Sequence, residues 1–139
     1  MKKRNPVMKP NNVIYLKCNE EGFYRLWIEI LTPWHKLSSR ERDVAARVIA
    51  QYFKLKERVP DPVLLKEILW SQASKKDMRE SLKMTQAHFH MVLAKLRQVG
   101  VIVDGDINPR YIPHKLDDPR FCLQIVYDWS NPGHPVHAE

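Results

Sequence analysis

The sequence predicts an α+β chain, and three observations predict it. Between residues 38 and 99, apolar side chains recur at three- and four-residue spacing in segments bounded by capping residues, the pattern of amphipathic helices. Two of these helical segments are separated only by the brief turn Lys83-Met84. Directly after them, Val101-Ile102-Val103 and Ile107 flank Asp104-Gly105, a tight-hairpin signal. With 139 residues, 44% apolar and 28% charged, the chain is long enough for one ordinary core.

Residues 1–11 contain Pro6 and Pro10 without an apolar pattern and read as a flexible basic arm. Residues 13–18 are short, apolar and partly β-branched, which predicts a strand. Asn19 is placed to cap a helix, with Glu20 and Glu21 in its first turn. Phe23, Leu26, Trp27, Ile30 and Leu31 then recur at helical spacing and predict a helix ended by Pro33. The alternation of Tyr24, Leu26, Ile28 and Ile30 fits a strand almost as well. Ser38 and Glu41 form a capping box before a helix whose buried stripe is Val44, Ala45, Val48, Ile49, Tyr52 and Phe53, with Arg40, Arg47 and Lys54 opposite. Asp61-Pro62 starts a third helix with Val63, Leu64, Ile68 and Leu69 as its core. Ser74 caps a short helix over 75–82, and Thr85 caps a longer one over 86–99 that Gly100 ends.

Short helix, tight turn, long helix and hairpin, in that order, are the parts of a winged helix-turn-helix. Residues 121–127 read as one more strand, placed to pair with 13–18 and join the two ends of the domain. The expected fold is therefore a winged helix-turn-helix over residues 12–129 with an additional short antiparallel strand pair, preceded by the arm 1–11 and followed by an irregular tail over 130–139.

The net charge is +7 and unevenly spread. Lys2, Lys3, Arg4 and Lys9 stand in the arm with no acid, and residues 36–99 hold fourteen basic against seven acidic groups. Residues 100–139 reverse the balance, with three basic and six acidic groups. A basic surplus on the arm and the central block points to a polyanionic partner, or else to a solvated lysine-rich surface. No apolar run approaches the ~18–20 residues of a membrane span, and the charged start MKKRNPVMKP lacks the apolar stretch of a secretory signal. No membrane partner is expected. A cytoplasmic setting is, with free thiols at Cys18 and Cys122, although strands at the two ends would bring that pair within disulfide reach.

On a wheel of about 100° per residue, Phe89, Val92, Leu93 and Leu96 of helix 86–99 form one apolar stripe. The opposite side presents Ala87, His88, Met91, Lys95 and Gln98, with His90 and Arg97 at the flank. A helix with one buried face and a small, polar and basic outer face suits a DNA major groove. Gln98, Arg97 and Lys95 would bond base edges, His88 or Lys95 would reach phosphate, and Met91 would lie between them. Thr85 and Gln86 sit at the helix N-terminus, where backbone N–H groups favour phosphate. Lys75, Lys76, Arg79 and Lys83 on the preceding helix and turn, and the arm, would follow the backbone of the same duplex.

The run MTQAHFHMVLAKLRQVGVIVDG resembles the recognition helix and wing of winged-helix regulators of the MarR and replication-initiator types, through T-Q-x-x-F-x-x-x-L-x-x-L-R-x-x-G-V-I. With INPRYIP after the wing, the chain also resembles small winged-helix proteins of tailed bacteriophages. The resemblance covers residues 74–113 and implies double-stranded DNA as partner and a dimer reading two half-sites. LSSRERDVAARVIA resembles the opening of LuxR-type DNA-binding domains, but the residues after it do not continue that pattern. Two features depart from the winged-helix pattern. Lys83 stands where many helix-turn-helix motifs place glycine, and Asp104 and Asp106 make the wing tip acidic, which phosphate repels. Arg110, just beyond, would partly restore a phosphate contact. The acidic wing keeps a second class open: a virion or assembly protein that docks on other phage structural proteins.

His88 and His90 point about 200° apart on a helix and cannot share a metal ion. His114, His134 and His137 show no ligand spacing. Trp27, Trp34 and Trp70 are expected in core or subdomain contacts, and Trp129 as a lid or interface anchor. No glycine-rich phosphate loop, H-E-x-x-H or G-x-S-x-G occurs, so no catalytic residue, cofactor or metal is expected. The sequence reads as a DNA-binding protein of a phage or prokaryotic regulatory system.

Overall fold

The computed structural model describes residues 15–114 and 130. The Asn19 side chain accepts the Gly22 amide at 2.7 Å and opens α1 (Glu20–Ile30). A short α2 (Thr32–His35) comes next, with Pro33 inside it rather than ending α1. Ser38 and Glu41 close the capping box of α3 (Ser39–Lys56), the longest helix. Asp61 caps α4 (Pro62–Leu69), Ser71 caps α5 (Gln72–Ser81) and Thr85 caps α6 (Gln86–Gln98). β1 (Ile102–Val103) and β2 (Asp106–Ile107) pair antiparallel, with Ile102 opposite Ile107 and Val103 opposite Asp106. The described chain is thus α+β, with α3 as the central strut against which α1, α4, α5 and α6 pack.

Several expectations need correction. Of the expected strand 13–18, residues 15–18 form no strand and Tyr15 and Leu16 are exposed, while 13 and 14 lie outside the described residues. The expected partner strand 121–127, Cys122 and Trp129 lie outside the described residues, while Cys18 is an exposed free thiol. The buried side of α1 is Tyr24, Trp27 and Ile28, leaving Leu26 and Ile30 exposed. Tyr24 stacks on Phe53 of α3 at 5.5 Å, and the buried Trp27 indole donates to the Tyr111 carbonyl at 2.9 Å, so these two anchors set the rotation of the helix. Trp34, expected in a contact, is 51% exposed. On α4 the buried pair is Leu65 and Leu69, with Val63 and Leu64 open to solvent. A helix of this length flanked on one side by α3 and α5 buries only one i, i+4 row. Finally, α5 begins earlier than expected: the Ser71 hydroxyl accepts the Ser74 amide at 3.2 Å, and Ser74 is buried inside the helix, accepting from Gln51 of α3 at 3.0 Å.

The tight turns obey backbone sterics. Asp104 and Gly105 have φ of 54° and 72°, as a two-residue hairpin with both central residues left-handed requires. The turn between α5 and α6 places Lys83 at φ 56°, so this lysine takes the conformation that glycine takes without strain.

His35 is 2% exposed and held by two backbone groups. Its Nδ1 accepts the Leu37 amide at 2.9 Å, so the proton sits on Nε2, 2.8 Å from the Ile28 carbonyl. Burial pushes its pKa below the ordinary imidazole value; the Ile28 bond opposes that shift and the Arg42 charge reinforces it. Below about pH 6.5 the unfolded chain therefore binds more protons than the folded one. This site's stabilisation is complete above that pH and is lost as pH falls through it. Thermal melts are expected to hold steady from pH 8 to 7 and to fall between pH 6.5 and 5.5. An unchanged midpoint across that window would contradict the buried neutral imidazole.

Candidate nucleic-acid interface

The Thr85 side chain accepts the His88 amide at 3.1 Å, which spends its hydroxyl on the cap of α6. Phe89, Val92, Leu93 and Leu96 are all buried, as their spacing predicts. Measured from Phe89 at about 100° per residue, Gln86, Arg97 and His90 fall on one flank, at about 60° to 100°. Ala87, Gln98 and Met91 form the crown at about 160° to 200°, and Lys95 and His88 lie on the far flank at about 240° to 260°. The crown is open: Met91 is 66% exposed and Gln98 and Ala87 are exposed, while Lys95 is half-buried.

The flank carrying Gln86, His90 and Arg97 is the one that faces α5. A cleft of about 140 Å³ lies there, lined by Gln72, Lys75, Lys76 and Arg79 from α5 and by Gln86, Phe89 and His90 from α6. Beside it runs an open groove of about 540 Å³ between α4, α5, α6 and the hairpin. Lys66, Lys75 and Arg97 bring three cations to this groove, Glu67 one carboxylate, and Trp70, Leu93 and Ile102 apolar surface. Lys75 and Arg79 are half-buried and Lys76 is exposed.

Charge is sorted across α5. Asp77 looks towards α3, where its carboxylate lies 3.5 Å from Arg47 and 3.9 Å from Lys54. Lys75, Lys76, Arg79 and Arg97 make no ion pair with a described carboxylate. Helix α6 has no acid in its first turn, so the positive end of its dipole adds to the same field.

The hairpin tip is fastened to α4. The Trp70 indole donates to the Gly105 carbonyl at 2.9 Å, and the Lys66 ammonium donates to the Asp104 carbonyl at 3.1 Å. The two aspartates at the tip thus stand beside the basic groove on a tethered loop.

Of the residues singled out in the sequence, the structure gathers Lys75, Lys76, Arg79 and Gln86 around one cleft, and Lys75 and Arg97 around the adjoining groove. His88, Met91, Lys95 and Gln98 line neither. Lys83 is exposed in the turn, and Arg110 is exposed in the 3-10 turn Pro109–Tyr111, away from both. The arm residues Lys2, Lys3, Arg4 and Lys9 lie outside the described residues. Sequence reasoning missed Lys66, Trp70 and Gln72, and left His90 at the margin. His90 was reachable: it stands four residues after Gln86 and seven before Arg97, one continuous flank. The link from Lys66 and Trp70 to the hairpin tip joins residues more than thirty apart and has no local signature.

Among the described residues no group of three metal-ligating side chains comes together, and no helix is long and apolar enough to cross a membrane. Compared with known proteins, the chain matches no family model, no curated protein and no solved structure.

Proposed function

We propose that the chain is a winged helix-turn-helix protein that binds duplex DNA, as a small prokaryotic or phage regulator of transcription or replication. In this reading α6 enters the major groove with its Gln86–His90–Arg97 flank and its open crown. Helix α5 then lies along the backbone with Lys75, Lys76 and Arg79 on phosphate. One observation carries the reading: three cations of α5 without carboxylate partners among the described residues converge on the exposed flank of the next helix. The acidic hairpin tip, tied to α4, takes a minor part, so this wing contacts DNA weakly or not at all. The protein acts by binding, with no catalytic step, cofactor or metal. A second copy would supply the second half-site.

The test is the salt dependence of duplex affinity. One phosphate held by Lys75, Lys76 and Arg79 and a second met by Arg97 give a slope of log K against log salt of about −1.8, or steeper if further cations join. Fluorescence anisotropy with a labelled duplex from 50 to 200 mM salt reads it directly. No binding at 50 mM salt would dismiss the reading. It would favour a virion or assembly protein docking on other proteins, a role that the exposed Val63, Leu64 and Trp34 would serve.

A further inference from the structure

We infer that the cleft between α5 and α6 is a receptor for one phosphate group of the nucleic-acid backbone, and that His90 closes it as a fourth cation, so that binding takes up a proton from solvent. This rests on the DNA-binding reading for the source of the phosphate, but the cleft itself is defined by its own side chains.

Lys75 and Lys76 reach the cleft from one turn of α5 and Arg79 from the next, and the amide side chains of Gln72 and Gln86 add neutral hydrogen-bonding groups. Such a set suits a backbone phosphate: the guanidinium fork spans its two non-bridging oxygens, and the ammoniums share the remaining lone pairs of the same two. The floor is Phe89, fully buried, against whose ring His90 stands edge-on at 6.3 Å and 75°. That contact holds the imidazole beside the cleft.

The groups around His90 are mostly basic. Facing it from α5 are Lys75, Lys76 and Arg79, and Arg97 lies on its own flank of α6. No described carboxylate lines the cleft: Asp77 is engaged by Arg47 and Lys54, Glu80 is not among the lining residues, and Glu67 belongs to the neighbouring groove. A phosphate bound in the cleft places a negative charge beside His90 and favours the imidazolium, which then donates to a phosphate oxygen. By linkage, whatever raises proton affinity at His90 on binding must raise phosphate affinity as pH falls. His88, on the opposite flank, faces none of these groups.

The experiment follows the His90 ring by NMR from pH 5 to 8, identified by its absence in His90→Gln. It compares the protein alone, with a 16-base-pair duplex, and with inorganic phosphate at matched ionic strength. The duplex is expected to raise the His90 protonation midpoint by about one unit. Duplex affinity should then fall up to about sixfold from pH 6 to 8, a dependence that His90→Gln flattens and His88→Gln leaves intact. A duplex that binds without moving the His90 midpoint overturns the cleft and leaves the DNA reading standing. A midpoint moved by inorganic phosphate, with no duplex binding at low salt, supports the cleft as a free-phosphate site and removes the DNA reading. A midpoint that neither anion moves overturns the cleft.

Discussion

Replacing Lys75, Lys76 and Arg79 together by glutamate is expected to lower duplex affinity more than about 100-fold at 100 mM salt. Each lost charged contact to phosphate is worth roughly 1.5 kcal/mol or more, and tenfold costs about 1.4 kcal/mol. Three losses therefore exceed two decades before the repulsion of the new carboxylates is counted. The salt slope should also shrink in magnitude by about one, for the single phosphate the three residues share. The fold is expected to survive, because none of the three makes an ion pair with a described carboxylate. Lys76 is exposed and Lys75 and Arg79 are half-buried at the surface, where substitutions usually change stability by less than about 0.5 kcal/mol each. Arg58→Glu, an exposed change just beyond α3, serves as the control and should alter affinity by less than threefold. Equal losses per reversed charge in the two variants would mean that only overall charge matters and that the α5–α6 face has no special role.

The second large effect is on stability. Phe89→Ala should destabilise the domain by about 3–5 kcal/mol, since a fully buried aromatic ring is lost and a cavity is left. That is a large share of the roughly 5–15 kcal/mol that holds a domain folded. Two positions along the same helix, Met91→Ala should cost no more than about 0.5 kcal/mol, because Met91 is 66% exposed. Urea denaturation of the two variants reads the rotation of α6 directly. A larger loss at Met91 than at Phe89 would mean that the helix presents its other side to the core, and the interface with it.

How much of the fold is legible in the sequence depends on whether the deciding contact is local. The capping box of Ser38 and Glu41, the Asp61-Pro62 start and the Thr85 cap are all interactions within four residues, and each stands where the sequence puts it. The four-residue stripe of α6 and the Asp104-Gly105 turn are local in the same sense. The features that escape sequence reading depend on partners distant along the chain. Ser74 has the chemistry of a cap but is claimed by Gln51 of α3, so the cap passes to Ser71. Helical spacing puts Leu26 on the inner side of α1, yet Phe53 and Tyr111 turn that helix towards Tyr24 and Trp27. The interface shows the same division. The basic residues of α5 can be read off as a patch, but a helical wheel does not say which flank of α6 they meet. The packing of α5 against α6 puts His90 and Arg97, rather than His88 and Lys95, beside the basic cleft and groove, and the proposed site is centred there.

The most direct test of the α5–α6 interface maps amide shifts of the 15N-labelled chain as a short duplex is added at low salt. Perturbations are expected to concentrate over residues 72–79 and along Gln86, His90 and Arg97, with weaker changes at His88 and Lys95. Perturbations gathered instead around Leu26, Ile30 and Trp34, or none at all at 50 mM salt, would contradict a duplex seated on this face.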